Sequence, residues 1–197
     1  MLIVDSDTLR DASSRWAGGD ESFSILAGGI DYTFADSANN IFTGQVDDMS
    51  QLFRETSFDG DIGYWDTSSA TDISRMFMMN DFNLDISGWD TGSVTLTLFM
   101  FLRNADFNQD ISGWDMGSAT NMKSMFNQAD SFNQDISEWD IGSATDIRSM
   151  FNGAASFNRD LSGWCVDDFA SPPTDFDTGA TAWTGGTATR PQWGTCP

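Results

Sequence analysis

Residues 132–151 read Phe132-Asn133-Gln134-Asp135-Ile136-Ser137-Glu138-Trp139-Asp140-Ile141-Gly142-Ser143-Ala144-Thr145-Asp146-Ile147-Arg148-Ser149-Met150-Phe151, and the same phrase recurs on either side. Trp65, Trp89, Trp114, Trp139 and Trp164 fall 24, 25, 25 and 25 residues apart. Phe77, Phe101, Phe126 and Phe151 keep the same step, with Phe53 one copy earlier. So do Met76, Met100, Met125 and Met150, with Leu52 in the first copy. A second phenylalanine column is Phe58, Phe82, Phe107, Phe132 and Phe157, followed by Ile62, Ile86, Ile111, Ile136 and Leu161. A fixed period of this length marks a stacked repeat architecture. The units are read at 41–64, 65–88, 89–113, 114–138 and 139–163, with Ile41 in the place of the first Trp.

Within a unit, Ala119, Met122, Met125, Phe126 and Ala129 fall at helical spacing, and Ser118 and Thr120 stand where an N-cap opens a helix. The stretch Asp110-Ile111-Ser112-Gly113-Trp114-Asp115-Met116 spaces its apolar residues by three and then two. That spacing matches the strand-and-turn side of a leucine-rich repeat. The expected fold is therefore α/β: a short leucine-rich-repeat-like solenoid of five rungs, each one short strand and one short helix, with N- and C-terminal caps. A single unit cannot bury its apolar face alone, whereas stacked units share one core. Trp65, Trp89, Trp114, Trp139 and Trp164 are expected in that core with Phe77, Phe101, Phe126 and Phe151, each ring burying on the order of 150–250 Å². Residues 1–40 and 164–197 lie outside the repeat and are the expected caps. The first carries Trp16, Phe23, Ile25, Tyr32 and Phe34, the second Pro172, Pro173, Trp183, Trp193 and both cysteines.

The runs 132–140 and 144–151 resemble the BspA-type leucine-rich-repeat surface proteins, whose repeats follow F-N-Q-D-I-S-x-W-D-[TV]-S-x-V-T-x-M-x-x-M-F. The likeness covers roughly residues 41–164 and extends to the tail around Trp164-Cys165-Val166 and Trp193-Gly194-Thr195-Cys196-Pro197. It implies extracellular or cell-surface placement and a role in adhesion or recognition.

Charge narrows the partners. The chain has 30 acidic against 9 basic residues, a formal net of −21, and the acid is almost all Asp. Such a surface repels nucleic acid and anionic membrane, and no stretch approaches the length of a membrane span. Met1-Leu2-Ile3-Val4-Asp5 lacks the basic region and apolar length of an export signal. That start suits a protein released by lysis, so a structural protein of a virion or surface layer, self-assembling in a lattice, is the alternative to a surface adhesion module.

The absence of histidine removes Ser-His and Cys-His nucleophile pairs and imidazole acid–base chemistry. No enzymatic activity is expected, because every Asp of the repeat has copies, whereas an active site needs unequal environments. Cys165 and Cys196 are read as a disulfide closing the C-terminal segment, with two free thiols as the alternative. Asp66, Asp90, Asp115 and Asp140, each after a repeat Trp, are expected to point outward on the sheet side as an acidic stripe that binds cationic partners or cations. Asp61, Asp85, Asp110, Asp135 and Asp160 form a second column. For both, the competing reading is that the carboxylates accept backbone N–H bonds in turns. No cofactor is expected. Calcium is a minor alternative on Asp106-x-Asn108-x-Asp110-x-Ser112, although Ile111 and Gly117 stand where an EF-hand needs Gly and Glu. Asn83, Asn108, Asn133 and Asn158 are assigned to turn structure.

Overall fold

The computed structural model describes residues 2–17, 24–27, 30–33 and 41–197. From residue 43 onward the chain coils once per repeat, and each coil is hydrogen-bonded to the next. Met122, Ser124, Phe126 and Gln128 donate their N–H groups to the carbonyls of Asp146, Arg148, Met150 and Asn152 at 2.9, 2.9, 3.0 and 2.7 Å. Two coils earlier, Ile73, Arg75, Phe77 and Met79 donate to Leu96, Leu98, Met100 and Leu102 at 3.0, 3.1, 3.0 and 2.8 Å. Isolated parallel bridges open this ladder at Asp48, Asp72, Leu96, Asn121 and Asp146, each paired to the next.

The ladder runs through the residues whose spacing predicts a helix, and no helix forms there. Among the described residues the helices are α1 (Ser6–Ala17) and the one-turn 3-10 helix η1 (Gly186–Ala188). In the expected helix, alternate N–H groups leave for the next coil. The ones between turn back three residues: Met125 to Met122, Asn127 to Ser124 and Ala129 to Phe126. A helix would aim every N–H along its own axis with φ negative throughout. Here Ser124 and Gln128 have φ of 54° and 56°. The left-handed pair recurs at Gln51 and Glu55, Arg75 and Met79, Phe99 and Arg103, and Ser149 and Gly153. Reversals three residues apart bring apolar side chains to one face at the helical interval, so the periodicity is real and its cause is different. A left-handed residue other than Gly costs roughly 1–2 kcal/mol, and the aligned inter-coil bonds offset it.

The segment expected as strand is a pair of turns. Trp114 N–H returns to Ile111 O at 3.1 Å and Ala119 N–H to Met116 O at 3.0 Å. The corner is tight at Gly63, where a Cβ would lie 2.6 Å from the Asp85 carbonyl oxygen of the next coil.

The stacking also passes the expected boundary at residue 164. Ser149, Phe151 and Gly153 donate to Thr174, Phe176 and Thr178 at 3.0, 2.8 and 2.8 Å, and Asp175 and Gly179 repeat the left-handed pair. The C-terminal segment thus begins as a further coil, and the Cys165–Cys196 disulfide closes it. At the other end, strand β1 (Leu2–Ile3) pairs in parallel with β4 (Ile41–Phe42), and β2 (Ser24–Ala27) pairs antiparallel with β3 (Ile30–Thr33). Asp5 caps α1, its Oδ1 accepting from Thr8 N–H at 2.9 Å. Leu9 and Ala12, three residues apart, bury one face of α1 in the common core. The side chains of Trp16, Phe23, Ile25, Tyr32 and Phe34 lie outside the described residues.

That core is built from aromatic columns. Phe53, Phe77, Phe101, Phe126 and Phe151 stack ring on ring with centroids 5.7, 5.7, 5.8 and 5.6 Å apart. Within each coil the second Phe lies against the first, as in Phe126–Phe132 at 3.9 Å. Trp65, Trp89, Trp114, Trp139 and Trp164 are all buried. The indole N–H of Trp89, Trp114, Trp139 and Trp164 donates to Ile62, Ile86, Ile111 and Ile136 O of the preceding coil at 3.1, 3.2, 3.1 and 3.0 Å. Each of these four Trp thus fills the core and carries a hydrogen bond between coils.

Candidate functional site

The four carboxylates of the expected stripe form a row, but at a turn and away from the ladder. Asp72, not Asp66, makes the bridge in its coil. Asp66 is half-buried, and Asp90, Asp115 and Asp140 are exposed. Each Oδ1 accepts the N–H two residues on: Ser68 at 3.1 Å, Gly92 at 3.1 Å, Gly117 at 2.9 Å and Gly142 at 2.9 Å. The hydroxyls of Thr43, Thr67 and Thr91 donate to Asp66, Asp90 and Asp115 O at 2.8, 2.9 and 2.9 Å, tying successive coils together. A Cβ on Gly92 would lie 3.4 Å from Asp90 Oδ1 and 3.5 Å from Asp115 Oδ2, so neighbouring carboxylates flank one glycine.

The second acidic column does the same work. Asp61, Asp85, Asp110, Asp135 and Asp160 accept from Gly63, Ser87, Ser112, Ser137 and Ser162 N–H at 3.0, 2.9, 3.0, 3.1 and 2.9 Å. The Ser87 N–H holds the Asp85 carboxyl below the usual range. Ser112 does so for Asp110, against the push of the Asp85 charge, and Ser162 for Asp160. The asparagines form a ladder of their own. Asn83, Asn108 and Asn133 Oδ1 accept from Asn108, Asn133 and Asn158 N–H at 2.9, 2.9 and 3.0 Å, and Gln109 and Gln134 brace the first two. Among the described residues no three His, Cys, Asp or Glu side chains converge to hold a metal ion. None of the described helices is long and apolar enough to cross a membrane.

A cleft of about 300 Å³ lies in the C-terminal segment between Pro172, Phe176, Arg190 and Trp193. Its polar groups are committed to one another. The Arg190 guanidinium pairs with Asp177, donates to Gly186 O at 2.7 Å and to Trp183 O at 3.2 Å, and lies over the Trp183 ring at 4.7 Å. The cleft is the seam where the cap closes.

The ladder face is different, because there the repeat is broken. A third column of turn acceptors opens each ladder. Asp48, Asp72, Asn121 and Asp146 accept from Ser50, Ser74, Lys123 and Arg148 N–H at 2.8, 2.8, 3.1 and 3.1 Å. The bridge residue between Asp72 and Asn121 is Leu96. In that coil Leu98, Phe99 and Leu102 stand where Ser74, Arg75 and Met78 stand before and Lys123, Ser124 and Asn127 after. Leu96, Leu98, Phe99 and Leu102 are all partly exposed, as is Met78, and Met79 beside them is 37% exposed. Two cations bracket the ring: Arg75 lies 5.0 Å and Lys123 5.6 Å from the Phe99 centroid. This surface was missed in reading the sequence, although the signal was present. In residues 96–102, Leu-Thr-Leu-Phe-Met-Phe-Leu, Leu96, Leu98 and Phe99 stand where the other copies carry Asp, Asn, Ser, Lys, Arg or Gln, and Leu102 where they carry Arg54, Met78, Asn127 and Asn152.

Against known proteins, a family model described as "Mycoplasma protein of unknown function, DUF285" matches residues 29–119 and again 78–183. No curated protein and no solved structure matches the chain.

Proposed function

We propose, for a chain that belongs to the DUF285 family, a non-enzymatic recognition role: a leucine-rich-repeat-like solenoid of the BspA surface type, holding a binding face toward a partner outside the cell. One observation carries the reading. The repeated polar side chains are spent on holding coils together, while a single coil departs from the repeat on an exposed face. Repeat scaffolds bind through positions where the copies differ, because the shared positions maintain the stack. The catalytic alternative lacks support for a matching reason: each carboxylate column meets the same N–H partner coil after coil, leaving no acid–base pair in unequal surroundings. The acidic stripe fits turn anchoring better than ligand capture, since Asp66, Asp90, Asp115 and Asp140 each accept a local N–H.

The test is an immobilised-chain binding assay against a panel of purified extracellular and cell-surface proteins, with sedimentation velocity on the free chain. A monomer that binds one panel member saturably supports recognition. Concentration-dependent growth into large assemblies, with no panel member bound, supports the structural-lattice role instead. Turnover of a small-molecule panel would overturn both.

A further inference from the structure

We propose that the break in the repeat, the apolar and cationic surface centred on Phe99, is the docking site for an extended acidic peptide segment carrying Leu, Ile or Phe beside its carboxylates. The inference rests on the recognition reading and deepens it by naming the face and the partner's chemistry.

Charge singles out this face. The outer ladder segments 48–55, 72–79, 96–103, 121–128 and 146–153 hold five of the chain's nine basic residues, Arg54, Arg75, Arg103, Lys123 and Arg148, against the acids Asp48, Glu55, Asp72 and Asp146. The chain as a whole carries −21, so this surface is close to neutral and the net negative charge lies outside it. The pairing inside it is uneven. At the edges Arg54 meets Glu55 at 2.6 Å, Arg148 meets Asp146 at 2.6 Å, and Asp48 meets Arg10 at 2.7 Å. In the middle, Arg75, Arg103 and Lys123 have no carboxylate within salt-bridge distance among the described residues. Arg103 donates to the neutral Gln128 Oε1 at 3.1 Å, and Arg75 and Lys123 lie over the Phe99 ring. Lys123 also helps hold the Asp146 carboxyl below its ordinary range, after Arg148, from beyond salt-bridge distance. An apolar patch framed by cations without a salt-bridged carboxylate, on a molecule otherwise acidic, complements a ligand of apolar side chains and carboxylates.

The alternatives fit less well. An anionic bilayer asks for a dense run of roughly four or more Lys and Arg on one surface, and the middle of this face offers Arg75, Arg103 and Lys123 alone. A second copy meeting this face with its own would set Arg75, Arg103 and Lys123 against their counterparts.

The neighbouring coils supply a variant that keeps the fold. Leu96→Asn, Leu98→Ser, Phe99→Ser and Leu102→Asn install what Asn121, Ser74, Ser124 and Asn127 already are at the same places. Ser124 holds φ 54° where Phe99 holds 61°, so the backbone accepts serine there. The probe is a fluorescein-labelled peptide of about ten residues alternating Asp or Glu with Leu or Phe, titrated with the intact chain and followed by anisotropy. A Lys-for-Asp peptide and a Ser-for-Leu peptide are the controls. The proposal expects saturable binding of the acidic–apolar peptide alone. That binding weakens at least about tenfold, or ~1.4 kcal/mol, in the quadruple variant. Arg75→Glu/Arg103→Glu/Lys123→Glu weakens it as much, while Asp90→Asn/Asp115→Asn leaves it unchanged. Equal binding to wild type and both patch variants overturns the proposal, as does no binding. So does dimerisation abolished by the quadruple variant, or binding to anionic vesicles in place of the peptide. A panel protein that binds wild type and quadruple variant alike, uncompeted by the peptide, leaves recognition standing and removes only this site.

Discussion

The repeated coils and the C-terminal segment solve one problem, ending each turn with its polar groups satisfied and its rings buried, in opposite ways. In the coils every partner is a copy. Phe101 and Phe126 lie 4° from parallel and Trp89 and Trp114 2° from parallel, because identical side chains on equivalent backbones take one orientation. In the C-terminal segment the partners are unique and the rings turn edge-on. Phe151 meets Phe176 at 82° and Trp183 at 79°, and Phe176 meets Trp193 at 85°. The ladder reaches Thr174, Phe176 and Thr178, and beyond that coil the Cys165–Cys196 disulfide and the Arg190–Asp177 pair close the segment. A stack of copies has no internal reason to stop. Rings set across the column leave no parallel face for a further coil to match.

The sharpest way to break the comparison is inside the stack. Trp114→Ala removes a buried indole and its bond to Ile86 O, at an expected cost of ~3–5 kcal/mol, read by urea unfolding. A loss below about 1 kcal/mol would mean the column tolerates gaps and the coils are held by backbone bonds alone. Next, Cys165→Ser/Cys196→Ser opens a loop of sequence separation 31. The chain-entropy argument gives roughly 3–4 kcal/mol. Because the cross-link confines the last coil, hydrogen exchange is expected to rise at residues 149–183 first and to reach 73–103 only with global unfolding.

A smaller effect separates turn anchoring from cation binding. Asp110→Ala removes the acceptor of Ser112 N–H and is expected to cost about 1 kcal/mol. Asp110→Asn keeps an oxygen in place and costs less. Asp85, Asp110 and Asp160 are held ionised below their ordinary range by their turn hydrogen bonds. Their folded-state values are depressed, so the stability they contribute is complete above the unfolded value of about 3.9 and is lost as pH falls through the lower folded values. Thermal melts are expected to hold or rise from pH 7 toward about 4, as the large negative charge relaxes, and then to fall. A fall beginning near neutrality would contradict this sign. The smallest effect is on the ladder face: the Leu96, Leu98, Phe99 and Leu102 quadruple variant is expected within about 0.5 kcal/mol of wild type, since its replacements already serve in sister coils.

The repeat, its period and the identity of the core columns were determined by the sequence itself, since identical phrases at a fixed interval demand identical surroundings. Two cysteines outside the repeat left a bridge or two thiols open, and the structure decided for the bridge. Only the tertiary structure decided the conformation within a unit. The interval Ala119–Met122–Met125–Phe126–Ala129 is shared by a helix and by reversals with φ positive at Ser124 and Gln128. Spacing alone cannot separate them, because what differs is the destination of the N–H groups, and that destination is another coil. The same holds for the carboxylates. A row of Asp is visible in the sequence, but whether a carboxylate faces a partner or its own turn depends on where the N–H two residues on points. The face around Phe99 was written in residues 96–102 as a departure from the repeat. Its meaning emerged only when stacking set Arg75 and Lys123, 24 residues or so to either side, against one ring.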